Sequence, residues 1–191
     1  MSPHLPPPDL DITKLIPRVE RRVFAKAIFD DLESRNERLP EIFISDLAGG
    51  MFFTYAFQFE DSYSWASTAH LAELGVAPED VPKLALDNLK VLIPKVTVET
   101  NDKGGRISVA GSLASSSLLI FAFWEQLEAE MNGGVAVAAP THRQVWYCDS
   151  SCNESIVHLQ ATANAEFSRA SHSDRLTKDV LTYSKKTWLE L

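Results

Sequence analysis

Gly50–Asp61, GMFFTYAFQFED, is the stretch on which the fold turns. Met51, Phe53, Tyr55, Phe57 and Phe59 fall on one side of a period-two pattern. Phe52, Thr54, Ala56, Gln58 and Glu60 fall on the other. Successive side chains of an extended chain point to opposite faces, so this alternation specifies a strand with one strongly apolar face and one mixed face. Just upstream, Ile42–Leu47 reads as a shorter strand, with Gly49 and Gly50 between the two. Adjacent glycines accept positive φ without a Cβ clash, as a tight hairpin turn requires. An antiparallel hairpin is expected here.

The pattern continues outward in both directions. Beyond Tyr63 and Trp65, STAHLAEL predicts a short helix ended by Gly75. Pro78–Leu92 predicts a second, with Val81, Leu84, Ala85, Leu89 and Leu92 on one side and Pro94 as its stop. KVTVET and RISVAG flank NDKGG as a second hairpin, and GGVAVAAP and QVWYCDS form a third. Asn153 is expected to cap a helix through Ala170, with Ile156, Leu159, Ala163 and Phe167 inward. TYSKKTWLEL reads as two strand pieces about Lys185 and Lys186. Toward the N-terminus, Ile16–Arg38 predicts an amphipathic helix with Val19, Val23, Phe24, Ala27, Ile28 and Leu32 in its apolar stripe. Arg18, Arg22 and Lys26 advance in steps of four as a basic edge. Residues 1–13, with Pro3, Pro6, Pro7 and Pro8, read as a flexible, polyproline-like arm ahead of a single domain over 14–191. Hairpins alternating with helices define an α+β class of layered sheet and helix, not a doubly wound parallel sheet.

Charge narrows the function. The chain carries a net charge of −8, which repels nucleic-acid phosphates and anionic membranes and attracts a basic partner. Arg18, Arg21, Arg22 and Lys26 form its dense basic cluster, but acids follow at once, so nucleic-acid binding is not expected. No apolar run approaches the ~18–20 residues of a membrane helix, and no secretory signal opens the chain. A cytoplasmic protein is expected. Cys148 and Cys152 are spaced C-x3-C, not C-x-x-C, and the five histidines are scattered. Neither a metal nor another cofactor is expected, and the cysteines read as free thiols of a reducing cytosol.

The chemistry-bearing candidates centre on Val109–Met131, VAGSLASSSLLIFAFWEQLEAEM, which reads as a strand, a turn and a helix. A nucleophile elbow there needs G-x-S-x-G, with its partners in the order acid then histidine. Ser112 follows Gly111 directly, no second glycine is in place, and His142 precedes Asp149. Ser112, Ser115, His142 and Asp149 are the catalytic candidates on this reading. An anion cradle fits the turn better: a helix N-terminus presents free N–H groups, and Gly111, Ser112 and Ser115 would line it. The simplest role is structural, with Ser112 capping the helix and small serines admitting close packing. Tyr63, Trp65 and Trp146 fall at loop or strand edges, where exposed aromatics mark interfaces, and with Arg18 and Arg22 they are the candidate partner-binding residues. Asp46 stands beside two glycines as an acceptor for turn N–H groups or for a ligand.

Three stretches, IFISDLAGGMFFTYAFQF, LAELGVAPEDVPKLALDNLKVLIP and LIFAFWEQLEAEMNGGVAVAAP followed by VWYCDS, together resemble the bacterial family called domain of unknown function 1444. The resemblance runs from about Glu41 to Leu191. Its most specific pieces are LALDNLK, with Asn88 and Leu89, and Trp124 ahead of the strand ending at Pro140. The family's Arg-Asp pair after that proline is replaced by Thr141, His142, Arg143 and Gln144. The resemblance implies an α+β cytosolic bacterial protein and supplies no activity, substrate or catalytic residue. The expected function is a non-catalytic protein-binding module, an acidic cognate inhibitor or immunity-type protein facing a basic protein. The alternative is a small hydrolase or anion-binding enzyme using the Ser112–Ser117 turn with His142 or Asp149.

Overall fold

The computed structural model describes residues 10–34, 44–59, 62–92, 97–101, 104–109, 112–131 and 134–191. It is an α+β fold with two antiparallel sheets. The first sheet holds β1 (Leu15–Arg21), β2 (Ser45–Leu47), β3 (Met51–Gln58) and β4 (Tyr63–Trp65). β3 is its centre. β1 pairs along β3 as far as Phe57, from Leu15 opposite Phe57 to Arg21 opposite Met51. β2 and β4 pair with its two ends, at Met51–Phe53 and Ala56–Gln58. The second sheet runs β10 (Thr187–Glu190), β9 (Val180–Ser184), β7 (Val135–Thr141), β8 (Gln144–Asp149), β6 (Gly104–Ser108) and β5 (Thr97–Asn101). The helices are α1 (Ala25–Ser34), α2 (Thr68–Glu73), α3 (Val81–Leu92), α4 (Phe121–Glu130) and α5 (Asn153–Arg169).

The hairpin expected at Gly49 and Gly50 forms, with φ of 68° and 65°. This pair of positive angles is the turn whose twist matches the strands it joins. Lys185 and Lys186 adopt the same geometry between β9 and β10, at φ 49° and 63°. The first core lies where the two sheets meet, with Val19 and Met51 on one side and Val137, Tyr147, Leu181 and Trp188 on the other, around Trp124 and Leu118. The second packs Ile28, Leu32, Leu71, Val81 and Ala85 of α1, α2 and α3 onto Leu15, Phe52, Tyr55 and Phe57. The third seats Leu159 and Ala163 of α5 on Ala136, Ala138 and Val180. With cover on both sides, β3 buries Phe52, Thr54 and Ala56 as fully as Met51, Tyr55 and Phe57, so its mixed face is not a solvent face.

Four expectations are corrected. The helix expected over Ile16–Arg38 is instead β1, a 3-10 turn over Arg22–Phe24, and α1. Pairing with β3 outweighs the helical period of this segment, and β1 is an edge strand, the position in a sheet that accepts Pro17. The basic edge is thereby broken up: Arg18 is buried, while Lys26 pairs with Asp30 at 2.6 Å on α1. Residues 35–38 lie outside the described residues. The helix expected after Ser112 is a 3-10 helix over Ala114–Leu119 that breaks at Ile120 before α4. Cys152, not Asn153, takes the cap position of α5. The last part of the arm is packed: Leu10 and Ile12 lie against the second core, and the Asn88 amide donates to the carbonyls of Ile12 and Leu15 at 2.7 and 2.8 Å. Residues 1–9 lie outside the described residues.

Candidate functional site

β1 carries the centre of the site. Side chains two apart on a strand share a face, so Arg18 and Glu20 point the same way as Thr54 and Trp65, which the register sets alongside. Arg18 and Glu20 are only 3% and 4% exposed. The Arg18 Nε donates to Glu20 Oε1 at 2.8 Å. His142, in the β7–β8 turn, sets its Nε2 3.4 Å from Glu20 Oε2. The Arg18 guanidinium also reaches the Ser112 carbonyl at 3.4 Å and lies over the Tyr63 ring, 3.8 Å from its centroid. Tyr63 in turn meets Trp65 edge-on, at 4.8 Å between centroids. Four distant pieces of sequence thus converge on one buried ion pair.

Burial pushes the Glu20 carboxyl upward, but the hydrogen bond and charge of His142 and those of Arg18 outweigh it and hold Glu20 below its ordinary value. Glu20 is therefore ionised at neutral pH and offsets the Arg18 charge. Burial, reinforced by the Glu20 charge, raises the Tyr63 phenol, which stays protonated. A carboxylate offers about four lone-pair positions, and Arg18 and His142 use two of them.

The serine turn lies against this pair but does not converge on it. Ser112 presents its carbonyl to Arg18 and caps no helix. Ser115, Ser116 and Ser117 are buried in the 3-10 helix. Three residues per turn aim successive side chains ~120° apart, so the three hydroxyls radiate. Neither those hydroxyls nor His142 Nδ1 has a hydrogen-bond partner among the described residues. The Ser115 N–H donates to the His142 carbonyl and the Ser116 N–H to that of Leu113, so two of the donors an anion cradle would use there are already taken. Asp149 sits at the far end of β8 from His142 and accepts from the Ser151 N–H at 2.8 Å. At ~3.3 Å per residue the strand keeps His142 and Asp149 apart, so they do not form a triad. Gly111 lies outside the described residues.

Of the partner-binding candidates, Tyr63 and Trp65 adjoin the ion pair, Tyr63 exposed and Trp65 nearly buried. Arg18 is a correction: its charge is inside, on Glu20, and not on a surface edge. Arg22 is exposed and pairs with Asp46 at 2.8 Å, which gives Asp46 its partner. The Gly49 N–H is taken by Glu190 at 2.9 Å instead. Trp146 lies elsewhere, on β8 under the Arg106 guanidinium. Beside the ion pair, between α1 and β4, opens a pocket of about 230 Å³. Phe24, Ile28, Tyr63 and Trp65 line it, together with the acids Glu20 and Asp31. Glu20 is a site residue that the helical pattern of the sequence does not single out. The signal was the strand-like alternation of Arg18 and Glu20 between Pro17, Val19 and Arg21, which a helical reading of the same residues obscures.

Cys148 and Cys152 are both free thiols with opposite surroundings. Burial, with Cys152 and Asp149 nearby, pushes Cys148 up to about 11. Cys152 is exposed, and a hydrogen bond from the Ser155 hydroxyl at 3.1 Å holds it below its ordinary value. The thiolate is the reactive form. Iodoacetamide at mildly alkaline pH is expected to label Cys152 well before Cys148, and Ser155→Ala to slow Cys152 several-fold, both followed by peptide mass spectrometry. Equal labelling of the two cysteines would refute this assignment.

Among the described residues no group of three or more His, Cys, Asp or Glu is placed to hold a metal ion. No described helix is long and apolar enough to cross a membrane. Compared with protein-family models, curated proteins and solved structures, the chain matches none.

Proposed function

We propose that this chain is a non-catalytic binding module that engages a basic protein, in the manner of a cognate inhibitor. The observation that carries the proposal is the pocket between α1 and β4, whose aromatic walls meet two carboxylates, Asp31 and the Arg18-paired Glu20, in a chain of net charge −8. Acidic surfaces steer and select basic partners. The Cys148 and Cys152 thiols accord with a cytoplasmic setting, which forms part of the proposal. The hydrolase alternative has less support. Ser115, Ser116 and Ser117 are buried and their hydroxyls have no hydrogen-bond partner among the described residues, while the half-buried Ser112 meets Arg18 through its carbonyl.

The test is a two-dimensional NMR titration with a blocked heptapeptide of glycine, arginine and lysine, beside its glutamate counterpart. Saturable shifts with the basic peptide only, centred on α1 and β4, are expected. No saturable shift, or equal shifts with both peptides, would overturn the proposal. So would hydrolysis of a nitrophenyl ester that is abolished by Ser115→Ala.

A further inference from the structure

We infer that the pocket beside Glu20 receives the guanidinium of an arginine side chain from the partner. The inference rests on the binding role proposed above and narrows it to one chemical group. Size comes first. At about 230 Å³ the pocket is below the roughly 300–1,000 Å³ of sites for drug-sized ligands, so it suits a single side chain. The walls come second. A guanidinium is planar and stacks on aromatic faces, and the pocket is walled by Phe24, Tyr63 and Trp65, of which Tyr63 and Phe24 each already hold one of the chain's own guanidinium groups, Arg18 and Arg21. Charge comes third. Glu20 keeps lone pairs that Arg18 and His142 do not use, and Asp31, on the exposed side of α1, adds a carboxylate at the rim. The molecule also contains its own precedent: Arg18 pairs with this same carboxylate and stacks on this same Tyr63 ring. A lysine ammonium satisfies the charge, but it does not use the flat walls or a carboxylate's paired oxygens as fully.

The test compares blocked peptides that carry one arginine, one citrulline or one lysine, by calorimetric titration of the full chain. Citrulline keeps the shape of arginine and removes its charge. Arginine is expected to bind roughly tenfold or more tightly than citrulline, the scale of one charge-assisted contact, and more tightly than lysine. Asp31→Asn and Ser173→Lys change exposed rim positions, and the unfolding midpoint of each is measured alongside so that a binding loss is read only from a folded variant. Each is expected to weaken arginine binding by about three- to tenfold. Ser173→Lys binding as wild type would overturn the arginine assignment while leaving the basic-partner reading intact, whereas arginine and citrulline binding alike would overturn both. Lysine binding as tightly as arginine would overturn the arginine assignment alone. Failure of both the arginine and the lysine peptides to bind would overturn both readings.

Discussion

Trp124→Ala is expected to lower the stability of this protein by about 3–5 kcal/mol, the range for truncating a large buried aromatic side chain. The indole is fully buried where the two sheets meet, edge-on to Phe123, Tyr147 and Trp188 at 4.9, 6.3 and 5.2 Å. Its Nε1 donates to the Ser117 carbonyl at 2.7 Å, beside the break between the 3-10 helix and α4. Alanine leaves a cavity and removes one of the two donors to the Ser117 carbonyl, which keeps the Ile120 N–H at 3.0 Å, so the cavity is the larger cost and the lost hydrogen bond adds to it. Trp124→Phe restores most of the volume but not the donor, and should recover about half the loss. Denaturant titration checks this: the midpoint should fall with the slope unchanged. A loss below about 1 kcal/mol for the alanine variant would mean that the surroundings collapse to fill the space.

The second large effect concerns Glu20. Glu20→Ala leaves the Arg18 guanidinium buried without its counter-charge, which costs about 3–5 kcal/mol when one partner of a buried pair is removed. Replacing both at once, Arg18→Met with Glu20→Leu, is expected to recover most of that, because no unpaired charge is left inside. The pH dependence has a definite sign. The folded protein holds the Glu20 carboxyl below its ordinary value, so it binds fewer protons than the unfolded chain. The stabilisation is fully present above the unfolded value near 4.5 and is lost as pH falls through the lower folded value. Urea unfolding followed from neutral pH to about pH 3 should show a steeper acid decline for wild type than for Glu20→Gln. Parallel curves would show that Glu20 is not the group responsible.

Much of the architecture was legible in the sequence because local signals and tertiary demands agreed. The Gly49–Gly50 hairpin, α2 with its stop at Gly75, α3 and the strands about Lys185 and Lys186 all form where turn chemistry and periodicity place them. The failures came where tertiary pairing decided. Ile16–Arg21 carries apolar residues that fit a helical stripe and a strand face alike, and the open edge of β3 selected the strand. The same misreading hid the site. On a helix, Arg18 belongs to an exposed edge; on β1 it belongs to a buried ion pair with Glu20. No local pattern announces that His142 and Tyr63 meet that pair, because they reach it from the second sheet and from β4. The serines drew attention as a motif, but a 3-10 helix spreads them and uses the neighbouring N–H groups internally.

The last hairpin imposes a timetable on synthesis. Glu190 accepts the Gly49 N–H from 141 residues away, and Trp188 donates to the Leu118 carbonyl across 70. A ribosome adding ~5–20 residues per second takes roughly seven to thirty seconds to cover the longer gap. Throughout that interval the β2–β3 turn lacks its carboxylate, and for its second half the Trp124 cluster lacks the Trp188 ring. The nascent chain therefore carries uncovered aromatic surface until translation passes β10, and this is the window in which chaperone capture or misassociation would compete with folding.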